Sequence, residues 1–213
     1  MTAASVAQWG AMHRSCLIVV LSSAVIASCQ SSPGGRVPRT DFMPAAVVLQ
    51  QASGNPDRQT FREAGLDVAR FRGVNVLKTE MRVKLDDLKR AETLPVELRS
   101  NLQHFIGMTL SDATGRGTLV VRAAITGARP DNPLADLGAN QPQRGDGGYT
   151  AVEIYATDGA DGPVVAAMTE TIYSHKLTLG SNAAWARAER ALQFSAAHFA
   201  KLLKPGLTFP EDR

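Results

Sequence analysis

The stretch YTAVEIYATDGADGPVVAAMTETIYS, residues 149–174, sets the architecture. Two runs, Tyr149 to Thr157 and Val164 to Ser174, carry the β-branched and aromatic residues that fit a pleated, half-buried surface. Between them stands Asp158-Gly-Ala-Asp-Gly-Pro163. Its glycines reach positive φ, its aspartates bond nearby backbone, and its proline cannot continue a ladder. The expectation is a β-hairpin.

Upstream, Leu119, Val121, Ala123 and Ile125 alternate with Val120, Arg122, Ala124 and Thr126, which predicts a third strand. Gly73 to Lys84 sets Leu77, Thr79, Met81 and Val83 against Lys78, Glu80, Arg82 and Lys84, the two-residue period of a fourth. Between these two strands the spacing predicts a helix. Thr93 or Leu94 is its expected cap, Pro95 stands in its first turn, and Leu98, Leu102, Phe105, Ile106 and Thr109 form its buried stripe. Gly115 is the expected stop.

A last helix, capped by Ser181 or Asn182, carries Trp185, Ala188, Leu192, Ala196, Phe199 and Leu203 at three-to-four spacing, with Arg187, Arg190, Gln193 and Lys201 facing water. Asp41 to Leu77 holds only short apolar pieces, Ala46 to Leu49 and Leu66 to Phe71, around a polar loop from Gln51 to Thr60. Strands with long amphipathic helices predict an α+β fold. We expect a two-layer sandwich, with an antiparallel or mixed sheet of about four strands and two long helices on one face.

The chain has 213 residues, 44% of them hydrophobic and 6% aromatic, so its core is expected to be aliphatic with a few anchors such as Trp185 and Phe199. A formal net charge of +3, with no Lys/Arg block, argues against nucleic acid as a partner.

The N-terminus points elsewhere. Leu17 to Ala27 is apolar and uncharged, too short for a bilayer span of about 17–25 residues but the right length for a secretory leader behind Arg14. Ile26-Ala27-Ser28-Cys29 resembles a bacterial lipobox, which implies cleavage before Cys29 and acylation of its thiol. Residues 1–28 are then a signal peptide, with Met12 the better start, because Met1 to Gly10 carries a Trp and no charge. Cys16 leaves with the leader, and Cys29 remains as the sole cysteine, so no intramolecular disulfide is expected. Residues 29–45 follow as a tether that opens Gln30-Ser-Ser-Pro-Gly-Gly, 46–205 as one domain and 206–213 as a tail. Gln30, rather than Asp, after the cysteine implies the outer membrane.

Three features together, the lipobox, Leu119 to Pro130 and Gly148 to Ala167, resemble the bacterial lipoproteins grouped as domain of unknown function 3313. The resemblance runs from roughly Phe71 to Leu203. It implies a periplasm-facing lipoprotein and brings no established activity.

The patterns that carry chemistry are sparse. His104, His175 and His198 have no second ligand at i+3 or i+4, so no metal is expected. Asp158 and Asp161 fall short of the oxygens and the downstream Glu of a calcium loop, and turn chemistry explains both. No Gly-x-Ser-x-Gly elbow occurs, Ser174-His175 is only a dipeptide, and Gly115-Arg-Gly117 is a turn, so neither an enzyme nor a bound cofactor is expected. Arg144-Gly145-Asp146 lies in a long polar loop, Arg129 to Gly148, which also holds Asp131 and Asp136. The leading expectation is a membrane-anchored, non-enzymatic envelope module that meets a protein partner through its sheet edge or this loop. A small-ligand binder or enzyme using the 129–148 loop is the alternative, and a subunit that oligomerises through strand edges a third.

Overall fold

The hairpin forms as β6 (Tyr149–Asp158) and β7 (Val164–Tyr173) in a computed structural model that describes residues 39–130, 148–173 and 185–208. In its turn Gly159 sits at φ 78°, and a Cβ there would meet the backbone of Gly115 and Arg116 at 3.0 Å. Glycine is therefore needed both for the turn and for the close approach. Asp158 Oδ1 accepts from the Gly117 N–H at 2.8 Å, which ties this turn to the start of β5 (Thr118–Arg129).

The other strands are β1 (Gln50–Gln51), β2 (Arg58–Arg62), β3 (Gly73–Val76) and β4 (Glu80–Met81). Strand order is β1-β2-β7-β6-β5-β3, with β4 also on β5. The pairs are antiparallel from β1 to β5, while β3 and β4 run parallel to β5. The fold is α+β, with a mixed sheet of seven strands and two helices rather than four strands. Two corrections account for the difference. The stretch Gln51 to Thr60, expected as a loop, holds the second residue of β1 and Arg58 to Thr60 of β2. The strand expected over Gly73 to Lys84 is divided into β3 and β4, both held on β5.

Helix α1 spans Leu88–Ile106 and begins earlier than expected. Asp87 caps it, accepting from the Arg90 N–H at 3.1 Å, in place of Thr93 or Leu94. Pro95 consequently lies inside the helix. It has no N–H to donate to the Ala91 carbonyl, a loss offset by burial of the stripe Leu94, Leu98, Leu102 and Ile106. The helix stops at Gly107, left-handed at φ 58°, not at Gly115, so Thr109 lies beyond it and is exposed.

Helix α2 spans Ala186–Leu203. Trp185 occupies its N-cap without a side-chain bond; Ser181 and Asn182 lie outside the described residues. The expected stripe is buried at Ala188, Leu192, Ala196, Phe199 and Leu203, and Trp185 packs partly buried against it. Arg187, Arg190, Gln193 and Lys201 are half-buried. The stripes of both helices share one core with Leu119, Val121, Ala123 and Ile125 of β5 and Val152, Ile154 and Ala156 of β6.

The other side of the sheet meets the segment before β1. Met43 and Val47 pack on Ala167, and the Phe42 ring lies 5.3 Å from that of Tyr155. Arg39 braces the segment by donating to the carbonyls of Val47 (2.8 Å) and Met43 (3.3 Å), and to that of Pro44. The Thr40 N–H donates to Glu153 Oε1, and Asp41 pairs with Arg82 at 2.8 Å. Arg39 to Met43, within the residues assigned to the tether, are thus part of the packed structure.

Candidate functional site

Along β7, Ala166, Met168, Glu170 and Ile172 share one parity, and Ala166 and Met168 belong to the helix-side core. Glu170 therefore carries a charge to a core-facing position, and its side chain has no solvent exposure. Its cross-strand neighbour on β2 is Arg58, whose Nε lies 2.7 Å from Glu170 Oε1. From α2 above, His198 Nδ1 lies 3.1 Å from Glu170 Oε2 and 2.6 Å from Arg58 Nη2. The Phe194 ring stacks on the imidazole at 6.4 Å, and the Arg190 guanidinium lies 4.8 Å above Phe194.

Burial pushes the Glu170 carboxyl up, but the hydrogen bond and charge of His198, joined by Arg58, outweigh it and hold the carboxyl below its ordinary value of 4.5. The ring can serve only one neighbour at a time. A neutral Nδ1 accepts from Arg58, whereas a protonated one donates to Glu170. Glu170 therefore contributes stability above the unfolded carboxylate value, and this is lost as pH falls below it through the lowered folded value. In unfolding titrations from neutral to acid pH, the stability gap between wild type and Glu170→Gln is expected to narrow below about pH 4.5. A gap constant down to acid pH would show that the carboxylate is not held in this way.

Chemically, the cluster orients an imidazole with a buried carboxylate. Among the described residues no hydroxyl or thiol is hydrogen-bonded to that ring. Nor do three or more His, Cys, Asp or Glu side chains among them converge as metal ligands. The arrangement joins β2, β7 and α2.

Two clefts open beside the helices. Between α1 and α2 a polar cleft of about 490 Å³ is lined by Glu97, Ser100, Asn101, Glu189 and Gln193 among others. Burial and the neighbouring Glu189 push the Glu97 carboxyl up against the opposing pull of Arg90, which itself pairs with Glu189. Between β4 and α1 a second cleft of about 550 Å³ is lined by Lys78, Met81, Pro95, Val96 and Arg99, among others. On the sheet's other side Glu153 is 1% exposed, and its Oε2 has no hydrogen-bond partner.

Of the residues singled out in the sequence, Cys29, His175, the Arg144-Gly145-Asp146 triplet and 131–147 of the long loop lie outside the described residues. His104 is exposed and edge-on to Phe105. Asp158 serves the turn, and Asp161 is exposed. Sequence reasoning missed Arg58 and Glu170. The available signal was parity: an acidic residue at an inward register of an Ala/Met strand needs a cationic partner.

No family model matches the chain, and no curated protein matches it. Solved structures do. A PelC dodecamer from Paraburkholderia phytofirmans aligns at 13% identity and TM-score 0.44, covering 68% of this chain and 97% of that one. A PDZ domain protein from Parabacteroides distasonis aligns at 14% and 0.41, covering 72% and 36%. A Xanthomonas campestris protein of domain of unknown function 330 aligns at 13% and 0.40, covering 67% and 90%. Likeness at this level carries no assignment.

Proposed function

We propose that this chain is an envelope lipoprotein, anchored in the outer membrane through lipid on Cys29, whose periplasm-facing domain acts as a non-enzymatic interaction module. The observation that carries it is the order of the N-terminal residues: a charged and then apolar leader, Ile26-Ala27-Ser28-Cys29, and a Ser/Pro/Gly-rich stretch. Arg39, the first described residue, is already packed. Ten residue steps from Cys29 reach about 34 Å at ~3.4 Å each, enough to stand the domain clear of a bilayer. Several acyl chains on one cysteine would hold it there, since a single chain binds only marginally. The resemblance to domain of unknown function 3313 belongs to the same proposal. Among the described residues no helix is long and apolar enough to cross a membrane.

The test is acylation and fractionation of the full chain in bacteria fed a clickable palmitate analogue. Wild type is expected to take the label and sediment with outer membranes. Cys29→Ala is expected to lose the label and appear in the soluble fraction. If Cys29→Ala stayed in the membrane and kept the same cross-linked partners, the tether would not be what places this domain.

A further inference from the structure

We propose that the cleft between β4 and α1 binds an extended, apolar segment of a partner protein that carries a carboxylate at the Lys78–Arg99 end. This deepens the interaction-module reading above and rests on it.

Strand β4 lies at the edge of the sheet, hydrogen-bonded to β5 on one side, and α1 forms the opposite wall of the cleft. The volume of about 550 Å³ lies within the usual range of binding clefts. Its surface is apolar at Met81, Ala91, Pro95 and Val96. Val96 is 67% exposed, and Leu88, two turns earlier on the same ridge of the helix, is 75% exposed, with Glu92 on the ridge between them.

Polar groups select the occupant. Lys78 from the strand side and Arg99 from the helix supply cations on opposite walls, and Arg99 is fixed by donating from Nε to the Val76 carbonyl at 2.9 Å. A carboxylate placed between them gains charge-assisted hydrogen bonds. Glu92 lies farther along the ridge, toward Leu88, and repels a second acidic group there, which sets polarity along the groove. Pro95 cannot donate to the Ala91 carbonyl, and both residues line the cleft. An extended peptide backbone can also meet the edge of β4 that no strand covers among the described residues, which an amphiphilic acid cannot do. The wall also holds the Thr79 hydroxyl, buried and without a partner. From Leu88 to Arg99 the helix rises about 16 Å at ~1.5 Å per residue, the length of about five extended residues.

The test is panning of the full chain, purified in mild detergent, against random hexapeptides displayed with free C-termini. We expect convergence on apolar peptides with a terminal or near-terminal carboxylate. Affinity for a synthetic peptide of the enriched sequence should fall about tenfold in Lys78→Gln and in Arg99→Gln, the loss of one charge-assisted bond. It should also fall in Val96→Asp. Lys78 makes no hydrogen bond to another described residue, so Lys78→Gln keeps the test decisive if Arg99→Gln unsettles the fold. No convergence, peptides that bind these variants as well as wild type, or binding of decanoate with no peptide enriched would each overturn the proposal. Panning reads the cleft whether or not Cys29 is acylated, so its failure is distinct from failure of the tether.

Discussion

Phe199→Ala is expected to lower the unfolding free energy by about 3–5 kcal/mol, read as a shift of the urea midpoint at unchanged slope. Phe199 is fully buried in α2 and belongs to the core shared by both helices and the sheet. Loss of the ring removes its transfer free energy and leaves a hole that can close only if its surroundings move. They are poorly placed to do so: the neighbouring α2 positions Ala196 and Ala200 are already small, and the remaining surroundings are elements pinned by their own backbone bonds. With typical domain stabilities of about 5–15 kcal/mol, such a loss takes a large share of the total. A cost below about 1 kcal/mol would mean that the helices close over the gap, and would contradict the packing described here.

Arg58→Met is expected to cost about 3 kcal/mol, because it removes one partner and leaves the Glu170 carboxylate buried. His198 alone then faces that charge. The triple variant Arg58→Met, Glu170→Leu, His198→Leu is expected to recover most of this loss, since apolar groups of similar shape carry no desolvation penalty. Thermal unfolding of the single and triple variants checks both statements. If the triple variant were as unstable as the single one, the cluster would stabilise the fold through something other than charge compensation.

Strand β5 was legible because Leu119 to Thr126 alternates, and β6 and β7 because runs suited to strands flank Asp158 to Pro163, whose turn chemistry is strong enough to stand alone. Strand β2 was not, because its inward residues toward α2 are polar: Arg58 meets Glu170, and Arg62 donates to the Leu202 carbonyl at 2.9 Å. A strand that satisfies its buried face with guanidinium groups leaves no apolar period to detect. The start of α1 was misplaced because Pro95 is ordinarily a first-turn residue; here tertiary burial of Leu94 and Leu98 outweighs the lost bond. The buried stripe of α2 was legible from Ala188 to Leu203, though it is wider than expected, taking in Ala191, Ser195, Ala197 and Ala200; its start was not, since Trp185 caps it without a side-chain bond. In the charge cluster His198 was visible only as a lone histidine; its partners lie 28 and 140 positions away, and strand pairing alone brings them together.

The segment from Arg39 to Leu49 lies across the sheet rather than hydrogen-bonded into it as a strand, and this has a mechanical meaning. Among the described residues, tension applied toward the N-terminus is met first by Arg39, whose guanidinium gathers three carbonyls of its own loop into a closed staple. It passes next through Thr40 to Glu153 on β6, an inner strand paired on both sides. Load is therefore delivered to the interior of the sheet and shared by β5 and β7 on either side, instead of peeling away the two-residue edge strand β1.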